Sequence, residues 1–208
     1  RLLRFVAGRL GLPRDLKSFV YLTQLNQAEA IRTGVEHWRR RMFRTAGALY
    51  WQLNDCWPVA SWSAVDYYRR KKALYHYSRA FFAPLLPTLA LEGDEVVLYG
   101  VSDLLQSAEA EVRVACYHLD GTLRAEHTAR VTVLPNRAAP LLRYTLADLG
   151  VGYRSEVVPR DALGTTVPRE VNGDLLDTVV YVELTAEGII YRNYLVFDRF
   201  RQLDLREP

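Results

Sequence analysis

The chain is poor in cysteine, in lysine and in long apolar runs. Its 208 residues include two cysteines, Cys56 and Cys116. Two thiols build no disulfide framework and no zinc spacing, so both are expected to be reduced, buried and small. No apolar run reaches the roughly 18–20 residues that a membrane-spanning helix needs, so no membrane partner is expected. Lysine occurs only at Lys17, Lys71 and Lys72, and the rest of the 27 basic residues are arginine. The formal net charge of +3 gives no reason to expect a nucleic-acid or membrane surface. His37, His76, His118 and His127 lack metal-ligand spacing. No glycine-rich phosphate loop occurs, and Ser61 and Ser63 have neither an adjacent histidine nor a nucleophile-elbow pattern. No metal and no cofactor are therefore expected. Arg1-Leu2-Leu3-Arg4 has no apolar core and no cleavage site of a secretory signal, and the chain does not begin with Met, which leaves its compartment open.

What is present is ordinary globular composition, half apolar and a quarter charged. It divides into two stretches with different periods. In residues 1–85, Phe19, Leu22, Ile31, Val35, Trp38 and Met42 recur at three- and four-residue steps, which predicts one helix face. Asp15 or Ser18 is suited to cap its start. Arg39, Arg40, Arg41 and Arg44 fall in or after the last turn and read as a solvated helix end. Residues 46–53 are a short apolar run, as in a strand buried on both faces. A second helix is expected from about Asp66, with Tyr67, Leu74, Tyr77 and Phe81 as packing positions and Pro84 and Pro87 beyond its end.

Residues 86–208 read as β structure. Stretches 95–101, 109–117, 123–133, 141–146, 178–184 and 189–197 are rich in Val, Leu and Tyr with partial alternation, and 88–91 adds a short seventh. Asp120-Gly121 is a strong hairpin signal and Glu187-Gly188 a weaker one. That count and spacing predict an antiparallel sandwich of immunoglobulin type. Residues 151–174 show no period and read as a long loop or insertion. His118 and His127 flank the Asp120-Gly121 turn and read as exposed strand residues. One strand and two helices cannot complete a parallel sheet, so residues 1–85 need partners outside this chain.

The most informative stretch is Trp51-Gln52-Leu53-Asn54-Asp55-Cys56-Trp57-Pro58. In α/β barrels, functional groups gather at the carboxyl ends of strands. Aromatic faces suit the C–H faces of sugar rings, and Asn and Asp can bind hydroxyls. The same residues could equally form a buried aromatic corner with Asp55 satisfied by backbone amides.

The run from Phe19 to Pro84 resembles the family 2 β-mannosidases. The resemblance rests on Phe19-Val20-Tyr21-Leu22-Thr23-Gln24-Leu25-Asn26-Gln27, on Glu36-His37-Trp38-Arg39-Arg40-Arg41, on Leu49–Val59 around the Trp51 motif, and on Ser61-Trp62-Ser63-Ala64-Val65-Asp66-Tyr67-Tyr68. The β stretch is similar, more weakly, to the immunoglobulin-like domain that follows the barrel in that family, best at Tyr191-Arg192-Asn193-Tyr194-Leu195-Val196-Phe197. The resemblance implies an α+β chain. Residues 1–85 would be the closing part of a (β/α)8 barrel (helix, last strand, last helix), and 86–208 an immunoglobulin-like β-sandwich.

It also implies a retaining, exo-acting hydrolase of oligosaccharides with terminal β-linked mannose, with the remainder of the barrel as the other partner. Trp51, Asn54, Asp55 and Trp57 would line the substrate pocket. Retaining glycosidases need two carboxyl groups about 5–5.5 Å apart. The family's Asn-Glu and Ser-Glu-Phe-Gly motifs are absent, and the one Ser-Glu pair, Ser155-Glu156, is followed by Val157-Val158. No catalytic residue is assigned, and the chain alone is expected to be inactive. Asp66 reads as a helix cap, and Glu29 and Glu36 as structural or solvated. The alternatives are a related family 2 glycosidase such as an exo-glucosaminidase, or a non-catalytic carbohydrate-binding or structural spacer module. In a binding module, Tyr99, Tyr117, Tyr144, Tyr181, Tyr191 and Tyr194 would offer stacking faces.

Overall fold

The computed structural model describes residues 1–152 and 173–198. Asp15 starts the longest helix through a capping box: its carboxylate accepts from the Ser18 amide at 2.7 Å, and the Ser18 hydroxyl accepts from the Asp15 amide at 2.9 Å. This helix, α2, runs from Leu16 to Arg40. A shorter helix that the sequence pattern did not reveal, α1 (Leu2–Arg9), precedes it and buries only Val6. The third helix, α3, spans Ala73–Phe81. It begins seven residues later than the sequence suggested, because Asp66 caps a turn instead. Its carboxylate accepts from the Arg70 amide at 2.8 Å and from the Arg70 guanidinium at 2.6 Å. Tyr67, expected to pack, is exposed.

Residues 28, 29, 35 and 36 are the buried positions of α2, two turns apart on one face. Ala28 and Val35 pack with Ala64, Leu74 and Phe81 in a helical core. Trp38 is largely exposed, and Met42 lies beyond the end of the helix, so neither extends the buried face.

Among the described residues seven strands form two antiparallel sheets. They are β1 (Leu85–Glu92), β2 (Glu95–Ser102), β3 (Ala108–His118), β4 (Leu123–Val133), β5 (Arg137–Thr145), β6 (Thr178–Ala186) and β7 (Ile189–Val196). One sheet has the order β1-β2-β5 and the other β4-β3-β6-β7. Consecutive strands thus change sheets between β2 and β3, β4 and β5, and β5 and β6, giving an immunoglobulin-like sandwich. Turn chemistry sets the hairpins. Glu187 and Gly188 both have positive φ, 52° and 76°, as a two-residue type I′ loop requires. Gly121 has φ 89° between β3 and β4.

Strand β6 alternates buried and half-buried residues along its length. Its inner residues Val180, Val182 and Leu184 join Val112, Val114, Cys116, Val96, Leu98 and Leu149 in a core that takes no residue from α1, α2 or α3. A short helix, α4 (Gly173–Leu176), leads into β6. The irregular stretch expected at 151–174 lies almost wholly outside the described residues, as do Ser155-Glu156 and Val157-Val158.

Helices and sandwich are joined by polar contacts, most of them part-buried. The Arg39 guanidinium donates to the carbonyls of Phe81 and Ala83, both at 2.8 Å, and pairs with Asp103 at 2.6 Å. Arg40 donates to Thr88 of β1 at 2.7 Å. These two arginines are therefore ties, not a solvated helix end. The backbone carbonyls at the end of α3 have no helical partners of their own, and a guanidinium satisfies two of them at once. Arg41 and Arg44 remain exposed.

The strand expected at 46–53 pairs into no sheet; its end meets residues 64–65 through the Gln52 and Leu53 carbonyls and an isolated bridge from Asn54 to Val65. A sheet strand needs a neighbouring strand to hydrogen-bond along its length, and no strand among the described residues lies beside it.

Candidate functional site

The unpaired segment nonetheless has the two faces of a strand. Ala48 and Tyr50 pack against the helical core. Leu49, Trp51 and Leu53 point the other way and are 98%, 76% and 60% exposed. That period of two in exposure is the one a strand shows. Beyond Leu53 the chain folds back on residues 61–72. The amides of Ala64 and Val65 donate to the Leu53 carbonyl at 3.1 and 2.8 Å, and the Asp55 amide donates to the Val65 carbonyl at 3.2 Å. The Lys72 amide closes the turn onto the Ala64 carbonyl at 2.9 Å.

Asp55 is the hub of this fold-back. It is 6% exposed. The Ser61 hydroxyl lies 2.6 and 2.7 Å from its two carboxylate oxygens, and the Ser63 hydroxyl donates to Oδ2 at 2.6 Å. The Gln52 amide adds a longer bond at 3.3 Å, and the Lys72 ammonium stands 3.9 Å away. Hydroxyl donation from Ser61 and Ser63 holds the carboxyl below the ordinary aspartate range despite its burial. The backbone-amide partners that a buried corner would need are replaced by serine side chains.

Around this hub the larger side chains stand outward. Trp57 is 67% exposed, and Asn54, Cys56 and Trp62 are exposed as well. Cys56 is thus not the buried thiol that its rarity suggested, while Cys116 is. Turn backbone at residues 54–58 leaves no packed side for Cys56 to occupy. From behind, α2 holds the fold-back: Gln27 donates to the Trp62 carbonyl at 2.6 Å, and Gln24 accepts from the Ala73 amide at 3.2 Å. Sequence patterning gave no signal for Gln24, Gln27, Ser61 or Ser63 as partners of this loop.

The other carboxylates are occupied elsewhere. Asp66 binds Arg70, so Asp55 and Asp66 form no pair. Glu29 and Glu36 are buried at the helix–sandwich junction. Glu29 accepts from Tyr77 at 2.7 Å and from Tyr194, while Glu36 accepts from Thr88 at 2.8 Å and Asn193 at 3.0 Å. Arg32 pairs with both and lies 4.0 Å over the Tyr194 ring. Burial opposes its charge, but Glu36, Tyr194 and Glu29 outweigh that and raise its pKa.

The sandwich tyrosines are all at least half-buried. Tyr99 bonds Glu92, Tyr117 accepts from Arg113, Tyr181 bonds Glu183, Tyr144 packs on His127, and Tyr191 packs on the core. They form no exposed stacking row. His118 is not free either, since Nδ1 lies 2.6 Å from Asp177, and His127 Nε2 lies 3.0 Å from the Asp148 carbonyl. Among the described residues no three His, Cys, Asp or Glu side chains are grouped to hold a metal ion. No described helix is long and apolar enough to cross a membrane.

Known proteins are similar to this chain in sequence and fold. The model of the Mannosidase Ig/CBM-like domain matches residues 94–202. The β-mannosidase of Capra hircus is 45% identical over 98 residues, 44% of this chain and 11% of that protein. β-Mannosidase B of Aspergillus niger is 31% identical over 177 residues, 76% of this chain and 21% of that protein. The crystal structure of a β-D-mannosidase from Dictyoglomus thermophilum superimposes with a TM-score of 0.79 at 28% identity, covering 98% of this chain and 22% of that one. The chain therefore spans about a fifth or less of the length of these relatives. It belongs to the family of the Mannosidase Ig/CBM-like domain, and over nearly its whole length it is similar to the carboxy-terminal region of family 2 β-mannosidases.

Proposed function

We propose that this chain acts as part of a retaining, exo-acting family 2 glycoside hydrolase that removes terminal β-linked mannose from oligosaccharides. Residues 1–85 are the closing part of its (β/α)8 barrel, and residues 86–208 the sandwich that braces it. The observation that carries this reading is the alternation at 48–53. One face lies on helices, and the other, with Leu49, Trp51 and Leu53, is apolar and exposed. A barrel strand has this form, with helices outside and a side-chain-filled interior within. The neighbouring strands and interior layers are the partner that these side chains await.

In this reading Trp51 stands near the carboxyl end of the strand and stacks on the sugar's apolar face. Trp57 closes one side, Asn54 binds a hydroxyl, and Asp55 supports the pocket floor from beneath. The two carboxyl groups that cleave the bond come from the rest of the barrel, so these residues bind and orient and move no proton. The fixed rings and the Asn54 carboxamide hold the glycoside in a reactive pose, which supplies rate through orientation.

Replacing Trp51 with Ala in the longer enzyme tests the assignment. The expected result is a fall in kcat/KM for an aryl β-mannoside of at least a hundredfold in a protein that still folds by far-ultraviolet circular dichroism, since the ring stands at the pocket end of the strand. Unaltered kcat/KM removes Trp51 from the pocket. The 208-residue chain by itself is expected to turn over no aryl β-mannoside, and turnover by a pure sample defeats the division of labour.

A further inference from the structure

The pocket residues named above sit on a loop, and a loop must be held if its rings are to meet a sugar at a fixed angle. We infer that Asp55 is a positioning residue, gripped from below by Ser61 and Ser63, that fixes where Trp51, Asn54, Trp57 and Trp62 stand and does not itself touch the sugar. This rests on the pocket reading and deepens it.

Three observations support it. First, the carboxylate is aimed inward, with its side chain 1% exposed, so a hydroxyl of a bound sugar has no route to it. Second, Ser61, Ser63 and Gln52 already occupy three of its roughly four acceptor sites. Third, its partners straddle the aromatic residues in sequence. Gln52 follows Trp51, Ser61 and Ser63 flank Trp62, and the Asp55 amide itself pairs with the Val65 carbonyl. One carboxylate thereby ties together the two chain segments that carry all three tryptophans. The Ser61 hydroxyl further accepts from the Ser63 amide at 3.1 Å, and the Lys72 ammonium donates to the Ser61 carbonyl at 3.3 Å, so the serine loop is itself held. Gln27 anchors the same loop to α2 through the Trp62 carbonyl. A neutral amide in place of Asp55 would turn one acceptor oxygen into a donor facing a serine that already donates, and the knot would open.

Ser63 gives the decisive variant because it is fully buried and cannot reach substrate. In the longer enzyme, Asp55→Asn is expected to lower kcat/KM at least tenfold and Ser63→Ala at least threefold, mainly through KM. The double variant is expected to be no worse than Asp55→Asn alone, because both changes break one knot. If Asp55 is instead a direct sugar ligand, Ser63→Ala leaves kcat/KM intact while Asp55→Asn abolishes it, and the inference fails. A lowered Tm with unchanged kcat/KM in every variant also overturns it, leaving the knot merely structural. Gln27→Leu loosens the same loop from outside the knot and is expected to raise KM in the same direction; should Asp55→Asn not fold, Ser63→Ala and Gln27→Leu carry the test. Near-ultraviolet circular dichroism reads the tryptophans without substrate. The expected result is altered tryptophan bands in Ser63→Ala with an unchanged far-ultraviolet spectrum, and unaltered bands sink the inference. Altered bands in a protein whose wild type cleaves no β-mannoside would refute the pocket reading and keep the positioning role.

Discussion

Asn193 of β7 donates its side-chain amide to Glu36 of α2 at 3.0 Å, and the same nitrogen reaches the Pro87 carbonyl at 2.9 Å. Residues 157 positions apart are thus joined inside the junction between helices and sandwich. Both are buried; Thr88, itself held by Arg40, and Arg32 complete the shell around the Glu36 carboxylate. A buried charge is tolerable only when so surrounded. Asn193→Leu keeps the volume and deletes both donations. The expected loss is about 1–3 kcal/mol in urea denaturation, the cost of leaving buried acceptors unmet. Arg113→Ala is the contrast. Its partners Glu126 and Glu183 lie on the exposed outer face of the β3-β4-β6 sheet, and such pairs contribute less than about 1 kcal/mol. Equal losses from the two variants contradict this account of the junction.

The same junction makes the fold sensitive to alkali. Burial raises the Tyr194 phenol from the ordinary 10.0 to about 12, with its bond to Glu29 adding to the effect and Arg32 opposing it. Tyr77, whose hydroxyl also binds Glu29, is raised as well, again chiefly by burial. A folded-state pKa above the unfolded one means the neutral phenol is favoured by folding. That stability is complete below pH 10 and is lost as pH climbs toward 12. Tyr194→Phe is therefore expected to be less stable than wild type at pH 7 and to show a shallower decline between pH 10 and 12, with tyrosinate absorbance and far-ultraviolet dichroism followed together. A wild-type curve flat across that interval rules out the buried phenol.

The strands were legible because their information is local. Asp120-Gly121 and Glu187-Gly188 can make tight turns, and Val, Leu and Tyr alternate between them, so all seven strands follow from neighbours in sequence. The cap at Asp15 is equally local, its partner Ser18 being three residues away. The arginines at the end of α2 were not legible in this way. A guanidinium at a helix terminus looks the same in sequence whether it meets water or, like Arg39, a carbonyl 42 residues on. Helix α1 carries no side-chain cap and buries one residue, which leaves little pattern to find. At the candidate site the aromatic residues announced themselves by their rarity and clustering. The role of Asp55 did not, because an aspartate reads alike whether it faces a sugar or two serines six and eight residues further along.

The two thiols differ by environment, and their chemistry should follow. Cys116 is fully buried, and desolvation pushes its pKa up to about 11. Cys56 is exposed beside Trp57. The attacking species is the thiolate, and it must be reached. A chromogenic disulfide reagent is expected to titrate one thiol in the native chain and two after denaturation. Cys56→Ser is expected to abolish the native reaction, and rapid labelling of both thiols before unfolding excludes the described β3 core position.

Acid should act on the Asp55 knot in a defined direction. Donation from the Ser61 and Ser63 hydroxyls lowers the folded-state pKa of Asp55 beneath its ordinary 3.8. The unfolded chain therefore holds the proton more tightly than the native one. The carboxylate's contribution to stability is complete above pH 3.8 and disappears as pH falls through the lowered folded value. Ser63→Ala removes one donor and moves the folded pKa back toward the unfolded one, so it weakens this contribution at its source. The stability gap between wild type and Ser63→Ala is then expected to be constant from pH 7 to about pH 5 and to narrow below the ordinary aspartate range. Thermal unfolding at a series of acid pH values checks this, with Ser18→Ala at the Asp15 cap as a second depressed aspartate that follows the same sign. A gap that widens as the pH falls means that Ser63 supports the neutral acid, and then Asp55 does not hold the loop as a carboxylate.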